Sequence, residues 1–329
     1  MSAATQSSSQ NTITSTIAAD MDAVNTVIRE RLHSEVTLVN QIAEYIISAG
    51  GKRIRPVLVL LVANAYGYKG TAHHELAAVV EFIHTATLLH DDVVDESSMR
   101  RGRQTANALF GNAASVLVGD FLYSRAFQMM VGLNNMRVMQ ILSDATNVIA
   151  EGEVLQLLNM HDPDVSQESY LKVIRSKTAK LFEAAAELGA LVSGASDQQV
   201  LAAGEYGRSL GTAFQLIDDV LDYAGDAAEI GKNVGDDLRE GKPTLPLIYV
   251  MENGTPEQRE LIRTCIEQGD ETHFDAVLAA VSSSGALDFT RREAETAARR
   301  AAAAIADLPP SEYKDSLLQL CTFAVDRNH

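Results

Sequence analysis

The chain has 329 residues and carries 44 Asp and Glu against 27 Lys and Arg, a formal net charge of −17 at pH 7. That excess of acid argues against a nucleic-acid partner, and no basic amphipathic stretch offers itself to anionic lipid. No apolar run reaches the ~20 residues that cross a bilayer, and two cysteines, Cys265 and Cys321, are too few for a disulfide framework and lack metal-ligand spacing.

Only 7 prolines, 5% aromatics and no tryptophan, with alanine, leucine and valine abundant, favour helix. Alternating apolar and polar runs are nearly absent, which argues against sheet. The expectation is an all-α protein built as one large helical domain over residues 17–329. Residues 1–16 are rich in serine, threonine and glutamine and precede the first basic residue, Arg29. They lack the charged start of a secretory signal and the arginines of a transit peptide, so a disordered tail and a cytoplasmic location are expected.

From Asp20 to Ile47 apolar residues recur at helical spacing (Val24, Val27, Ile28, Leu32, Val36, Val39), which predicts a first helix or a pair of helices. Gly50-Gly51 breaks it, and Lys52 and Arg55 then stand at the entrance of the next helix, with Pro56 suited to its first turn. Backbone N–H groups at such an entrance favour an anion.

The apolar run Phe82–Leu89 leads into Asp91-Asp92-Val93-Val94-Asp95. Asp91 and Asp95 lie one helical turn apart on one face, where two carboxylates repel each other unless a cation or water separates them. The spacing recurs in Asp218-Asp219-Val220-Leu221-Asp222, again after an apolar helix. A single acidic cluster reads as a solvated helix end; a repeated one points to hard divalent cations such as Mg²⁺, which takes one or two carboxylates together with substrate phosphates. The reading is of two acidic walls with metal and a phosphorylated ligand between them. Basic groups suited to phosphate stand near by: Arg100-Arg101-Gly102-Arg103, Lys177-Thr178, Lys232 and Lys242. His84 and His90 share the helix of the first cluster, where a lone histidine is ordinarily a core residue.

Glu151-Gly152-Glu153 reads equally as a site border or a solvated turn. Residues 170–191 read as a helix, residues 225–240 as a glycine- and aspartate-rich loop or lid, and everything from Pro246 onward as scaffold.

The segments GGKRIRP, HTATLLHDDVVDESSMRRG, SKTAKLFEAA, GTAFQLIDDVLDYAGD and GKNVGDDLREGKPTLPL, in this order, resemble the trans-polyprenyl diphosphate synthases, with the closest likeness to bacterial members that make octaprenyl chains for quinones. The likeness runs from about Asp20 to the C-terminus. It implies a helical bundle of the isoprenyl synthase type with a central active-site cavity, a homodimer, and an enzyme that adds isopentenyl diphosphate repeatedly to an allylic diphosphate such as farnesyl diphosphate. All six motif aspartates are catalytic in this reading, and Asp91, Asp95 and Asp218 hold two to three Mg²⁺ ions. Lys52, Arg55, His84 and Arg101 bind isopentenyl diphosphate. Arg100, Lys177, Thr178, Gln215, Lys232 and Lys242 bind the allylic substrate. Family members with aromatics just before the first motif make short products. Here the small Ala86 and Thr87 stand there, implying an open tunnel and a long chain, with Met130 as a candidate floor; Ala86→Phe is expected to shorten the product. A terpene cyclase mixes Asn, Ser and Glu in its second metal motif, and a non-catalytic subunit loses aspartates or basic residues. Neither departure occurs here. A shorter-chain farnesyl or geranylgeranyl synthase is the nearer alternative.

Overall fold

The computed structural model describes residue 13, residues 15–48, 50–100, 102–224, 235–269 and 272–327. Nearly all of these are helical, as expected, with one departure: Met99–Arg100 and Arg103–Gln104 pair antiparallel as a small hairpin, β1 and β2. No described helix is long and apolar enough to cross a membrane. Cys265 and Cys321 are free and buried.

The chain folds into two compact units, and every boundary between them falls inside a helical stretch rather than in a linker. The first unit takes Met1–Thr146, Leu181–Gly207 and Ala304–Leu320. Its helices open with α1 (Ala18–Leu32), α2 (Thr37–Ser48), α3 (Ile54–Ala65) and α4 (Ala72–Val94), so the first apolar stretch is a helix pair. After the hairpin come α5 (Ala106–Phe110), α6 (Asn112–Gly132) and the start of α7 (Met136–Asn159). Helix α3 is buried almost all round, as befits a central helix, and α4 packs along α1, α3 and α6. Gly50 and Gly51 have φ of 75° and 147°, which an L side chain rarely adopts; this turn aims Lys52 and Arg55 at the entrance of α3. The tail expected over residues 1–16 is corrected at its end: Ile13, Ser15 and Thr16 are helical, and Ile13 is buried like Ile17 one turn on. Residues 1–12 and 14 lie outside the described residues.

The second unit takes Asn147–Lys180, Arg208–Ala303 and Cys321–His329. The helix expected over 170–191 is in three parts: α8 (Gln167–Ile174), a π-helical segment (Arg175–Ala179) and α9 (Lys180–Val192). Then come α10 (Asp197–Ala224), α11 (Asp236–Arg239), α12 (Leu245–Asn253), α13 (Pro256–Gln268), α14 (Phe274–Ser284), α15 (Ala286–Ala304) and α16 (Glu312–Val325). Two apolar clusters hold the unit together: one joins Tyr223 and Leu238 to α12, α13 and α14, the other joins Tyr170 and Ile174 to Leu216, Ile217, Leu221 and Ile248. The expected loop of residues 225–240 is helical over α11; residues 225–234 lie outside the described residues.

Candidate active site

The first aspartate cluster occupies the C-terminal end of α4. Asp95 caps that helix, and its N–H donates to the Asp91 carbonyl at 2.8 Å, so the two side chains sit one turn apart as the spacing predicts. Both are half-buried, whereas Asp92 between them is fully buried. Its Oδ1 accepts from Arg100 Nε, and Arg100 Nη2 lies 2.7 Å away. The hairpin places Arg100 there, and the turn before it is tied down locally. Thr105 Oγ1 donates to the Ser97 carbonyl at 2.7 Å, and Asn107 Nδ2 donates to the Asp92 and Ser97 carbonyls at 3.1 and 3.2 Å. Arg100, read in the sequence as a diphosphate ligand, is thus also the counter-charge of Asp92. Arg101 lies outside the described residues.

In the same unit Arg55 Nη1 lies 3.1 Å from His84 Nε2, and its guanidinium stacks over the Phe182 ring at 4.6 Å. These two residues, placed together by the sequence reading, are together in space; Lys52 is half-buried near the start of the same helix. His90 has a structural surrounding, with Nε2 3.2 Å from the Val116 carbonyl. Ala86 is fully buried against Ile42, Leu89, Val118 and Leu122, Met130 is fully buried, and Thr87 is half-buried with Oγ1 bonded to the His84 carbonyl. Ala86 is therefore core, and a phenylalanine there would overpack it; Thr87 is the better position at which to probe a tunnel.

The second cluster sits on the last turns of α10 and divides in the same way. Asp219 is fully buried and accepts from Tyr170 Oη and, at 2.9 Å, from Gln215 Nε2 one turn earlier. Thr178 Oγ1 donates to Gln215 Oε1 at 3.0 Å, so Thr178 and Gln215 form a relay that ends on Asp219. Asp222 accepts from the backbone N–H of Gly235 at 3.2 Å and of Asp237 at 3.4 Å, holding the start of α11. Asp218 is half-buried, and Arg327 Nη2 lies 2.8 Å from its Oδ1. Arg327 is itself buried, stacked on the Phe214 ring at 3.5 Å and donating to the Phe214 carbonyl at 2.7 Å.

Lys177 and Thr178 both lie on the π segment, where one turn is widened. Lys177 Nζ is 2.7 Å from Glu153 on α7. A Cβ on Gly152 would come within 2.7 Å of Ser176 Cβ and 2.9 Å of the Lys177 nitrogen, so only glycine lets α7 approach so closely. Glu153 therefore stands on a helix, paired with Lys177, and not in a solvated turn. Lys242 pairs with Glu240; Lys232 lies outside the described residues. Tyr170, which carries Asp219, and Arg327, which lies in the stretch read as scaffold, were missed. An isolated tyrosine in one helix and an arginine 109 positions after Asp218 leave no spacing signal.

The half-buried carboxylates at each helix end are hard oxygen donors, the set that Mg²⁺ takes. Burial, and then the nearby Asp237, push the carboxyls of Asp219 and Asp222 up to about 8.

Residues 36–282 match the Polyprenyl synthetase family. The chain is 57% identical over 312 residues to the octaprenyl diphosphate synthase of Escherichia coli (strain K12), spanning 94% of this chain and 97% of that protein. It is 47% identical over 312 residues to the geranyl-diphosphate-specific all-trans-nonaprenyl-diphosphate synthase of Rhodobacter capsulatus, spanning 94% of this chain and 96% of that one. Among solved structures, the polyprenyl synthase of Caulobacter crescentus CB15, in complex with calcium and isoprenyl diphosphate, superposes with a TM-score of 0.94 at 45% identity, covering 97% of this chain and 98% of that one.

The raised Asp219 and Asp222 predict a pH dependence of the metal-free protein. An unfolded carboxyl loses its proton near pH 4, so between about pH 4 and 8 the native state binds more protons than the unfolded one, and stability falls as pH rises. In EDTA, Asp219→Asn should lose stability less steeply than wild type between pH 6 and 8, by at most about 1.4 kcal/mol per pH unit for the proton removed. Parallel stability curves would show that Asp219 is already ionised when folded.

Proposed function

Because this chain belongs to the polyprenyl synthetase family and is a prenyltransferase, we propose that it elongates an allylic diphosphate, farnesyl diphosphate foremost, with isopentenyl diphosphate to give octaprenyl diphosphate for quinone side chains. The near full-length likeness to the Escherichia coli octaprenyl enzyme carries this reading. The likeness to the nonaprenyl enzyme of Rhodobacter capsulatus makes a longer product the second reading.

In this proposal Asp91, Asp95 and Asp218 hold Mg²⁺, two to three ions once diphosphate is bound. Bound Mg²⁺ neutralises the charge that gathers on the diphosphate as its C–O bond breaks. Arg100, Lys177, Lys232 and Lys242 bind the oxygens of the allylic diphosphate, and the Thr178–Gln215 relay orients the allylic end. Arg55 and His84, with Lys52 and Arg101, hold isopentenyl diphosphate so that its double bond attacks the cationic allylic carbon. The proton released in forming the new double bond passes to the departing diphosphate, and the cycle repeats. Apolar side chains keep water from quenching the cation. Asp92 and Asp219 act from behind, holding Arg100 and Gln215 in place.

The proposal extends to a cytoplasmic homodimer. Exposed apolar side chains support the dimer: Leu117 and Val131 on α6, and Met136, Val154, Leu157 and Leu158 on α7.

Product length tests the activity. With farnesyl diphosphate, labelled isopentenyl diphosphate and Mg²⁺, the expected product is octaprenyl diphosphate, abolished by EDTA. A metal-dependent product of another length would overturn the octaprenyl assignment and keep the chemistry, whereas absence of elongation under every divalent cation would refute the catalytic reading. Thr87→Phe should stay active and release shorter chains; an active variant with wild-type product length would refute the tunnel at Thr87.

A further inference from the structure

Away from both aspartate clusters, α1 and the first turn of α4 bring together side chains that the reaction does not use. Asp20 Oδ1 lies 2.8 Å from His74 Nε2 and 3.5 Å from His73 Nε2. One donor atom from each residue lies within 4.8 Å of the other two, and this is the one such group of three His, Cys, Asp or Glu side chains among the described residues. Asn64 on α3 donates Nδ2–H to Asp20 Oδ2 at 2.8 Å, which turns Oδ1 toward the imidazoles. The two rings are tilted by 32° with centroids 4.0 Å apart, and Tyr68 closes over His73 edge-on.

Hydrogen bonding alone leaves His73 poorly served. Its side chain is only 4% exposed, its Nδ1 has no hydrogen-bond partner, and its Nε2 reaches Asp20 only at the outer limit of a hydrogen bond. Burying an imidazole in that state is costly; a cation between His73 Nε2 and Asp20 Oδ1 would replace the stretched contact there with two short ones, leaving Nδ1 to carry the proton. The protonation states suit a cation too. Burial, and then the charge of His74, lower the His73 value, which favours the neutral ligand form. Burial works to raise the Asp20 carboxyl, but hydrogen bonds from His74 and Asn64 bring it below the usual carboxylate range. Donors about 2.0–2.1 Å from a tetrahedral ion stand about 3.4 Å apart, a spacing bracketed by the 2.8 and 3.5 Å separations here.

We propose that Asp20, His73 and His74 form a second cation site, for a borderline divalent ion such as Zn²⁺. Two imidazole nitrogens and one carboxylate suit Zn²⁺ or Co²⁺ and not Mg²⁺, which prefers oxygen. The bound ion ties α1 to the N-terminal end of α4, the helix whose other end presents Asp91 and Asp95.

Co²⁺ titration of the full-length protein in excess Mg²⁺, followed by visible absorption and reversed with Zn²⁺, tests the site. Wild type and His33→Ala, a histidine outside the cluster, should show the same ligand-field band. His74→Ala, Asp20→Asn and the milder His74→Gln should weaken Co²⁺ binding by at least about ten-fold, with circular dichroism confirming that each is folded. Folded variants that bind Co²⁺ as wild type does, or a wild type that gives no such band, would overturn the site and leave the cluster a hydrogen-bonded triad.

Discussion

Three carboxylates crowd the C-terminal end of each of two helices, and each cluster is organised by the need to neutralise them. A helix ends in unpaired carbonyls that carry partial negative charge, so Asp91, Asp92 and Asp95 at the end of α4 add acid where the backbone is already negative. The same holds for Asp218, Asp219 and Asp222 at the end of α10. Each cluster answers by turning its middle aspartate inward to a protein partner. Asp92 takes Arg100, and Asp219 takes Tyr170 and Gln215. In the first cluster, the members that stay half-buried, Asp91 and Asp95, are the ones suited to an added cation.

Much of the surrounding structure follows from this division. The hairpin after α4, with Thr105 and Asn107 bonded to its turn, serves to bring Arg100 back onto Asp92. The widened π turn presents Lys177 to Glu153 and Thr178 to Gln215, which ends on Asp219. Asp222 turns its oxygens to backbone N–H groups at the start of α11, and Arg327 meets the half-buried Asp218. Of the residues assigned to the allylic diphosphate in the proposed reaction, Arg100 is held by Asp92 and Gln215 by Asp219, while Lys177 and Lys242 are held by Glu153 and Glu240.

The aspartate clusters, the helical class and the basic entrance at Lys52 and Arg55 were legible because they rest on local spacing: a repeated D-D-x-x-D, apolar periodicity, and a glycine break before a basic helix start. The grouping of Arg55 with His84, 29 positions on, came through the family resemblance alone. What could not be read is long-range or sterically set. Tyr170 and Arg327 reach the second cluster across 49 and 109 positions, with no motif to mark them. The π segment keeps an ordinary helical composition and is betrayed only by the close approach at Gly152. Ala86 and Thr87 look alike as small residues, yet neighbouring positions on one helix face different surroundings, and only Ala86 is sealed in the core.

Thermal melts of Asp91→Asn and Asp92→Asn, in EDTA and then with Mg²⁺ and inorganic pyrophosphate, test the division of labour directly. Breaking the buried Asp92–Arg100 pair should cost about 3–5 kcal/mol, so Asp92→Asn should melt well below wild type in EDTA. Asp91→Asn should melt with wild type in EDTA and lose most of the stabilisation that Mg²⁺ and pyrophosphate confer. Equal losses in both variants under both conditions, or the reverse pattern, would contradict the assignment of the inner aspartate to structure and the outer one to metal.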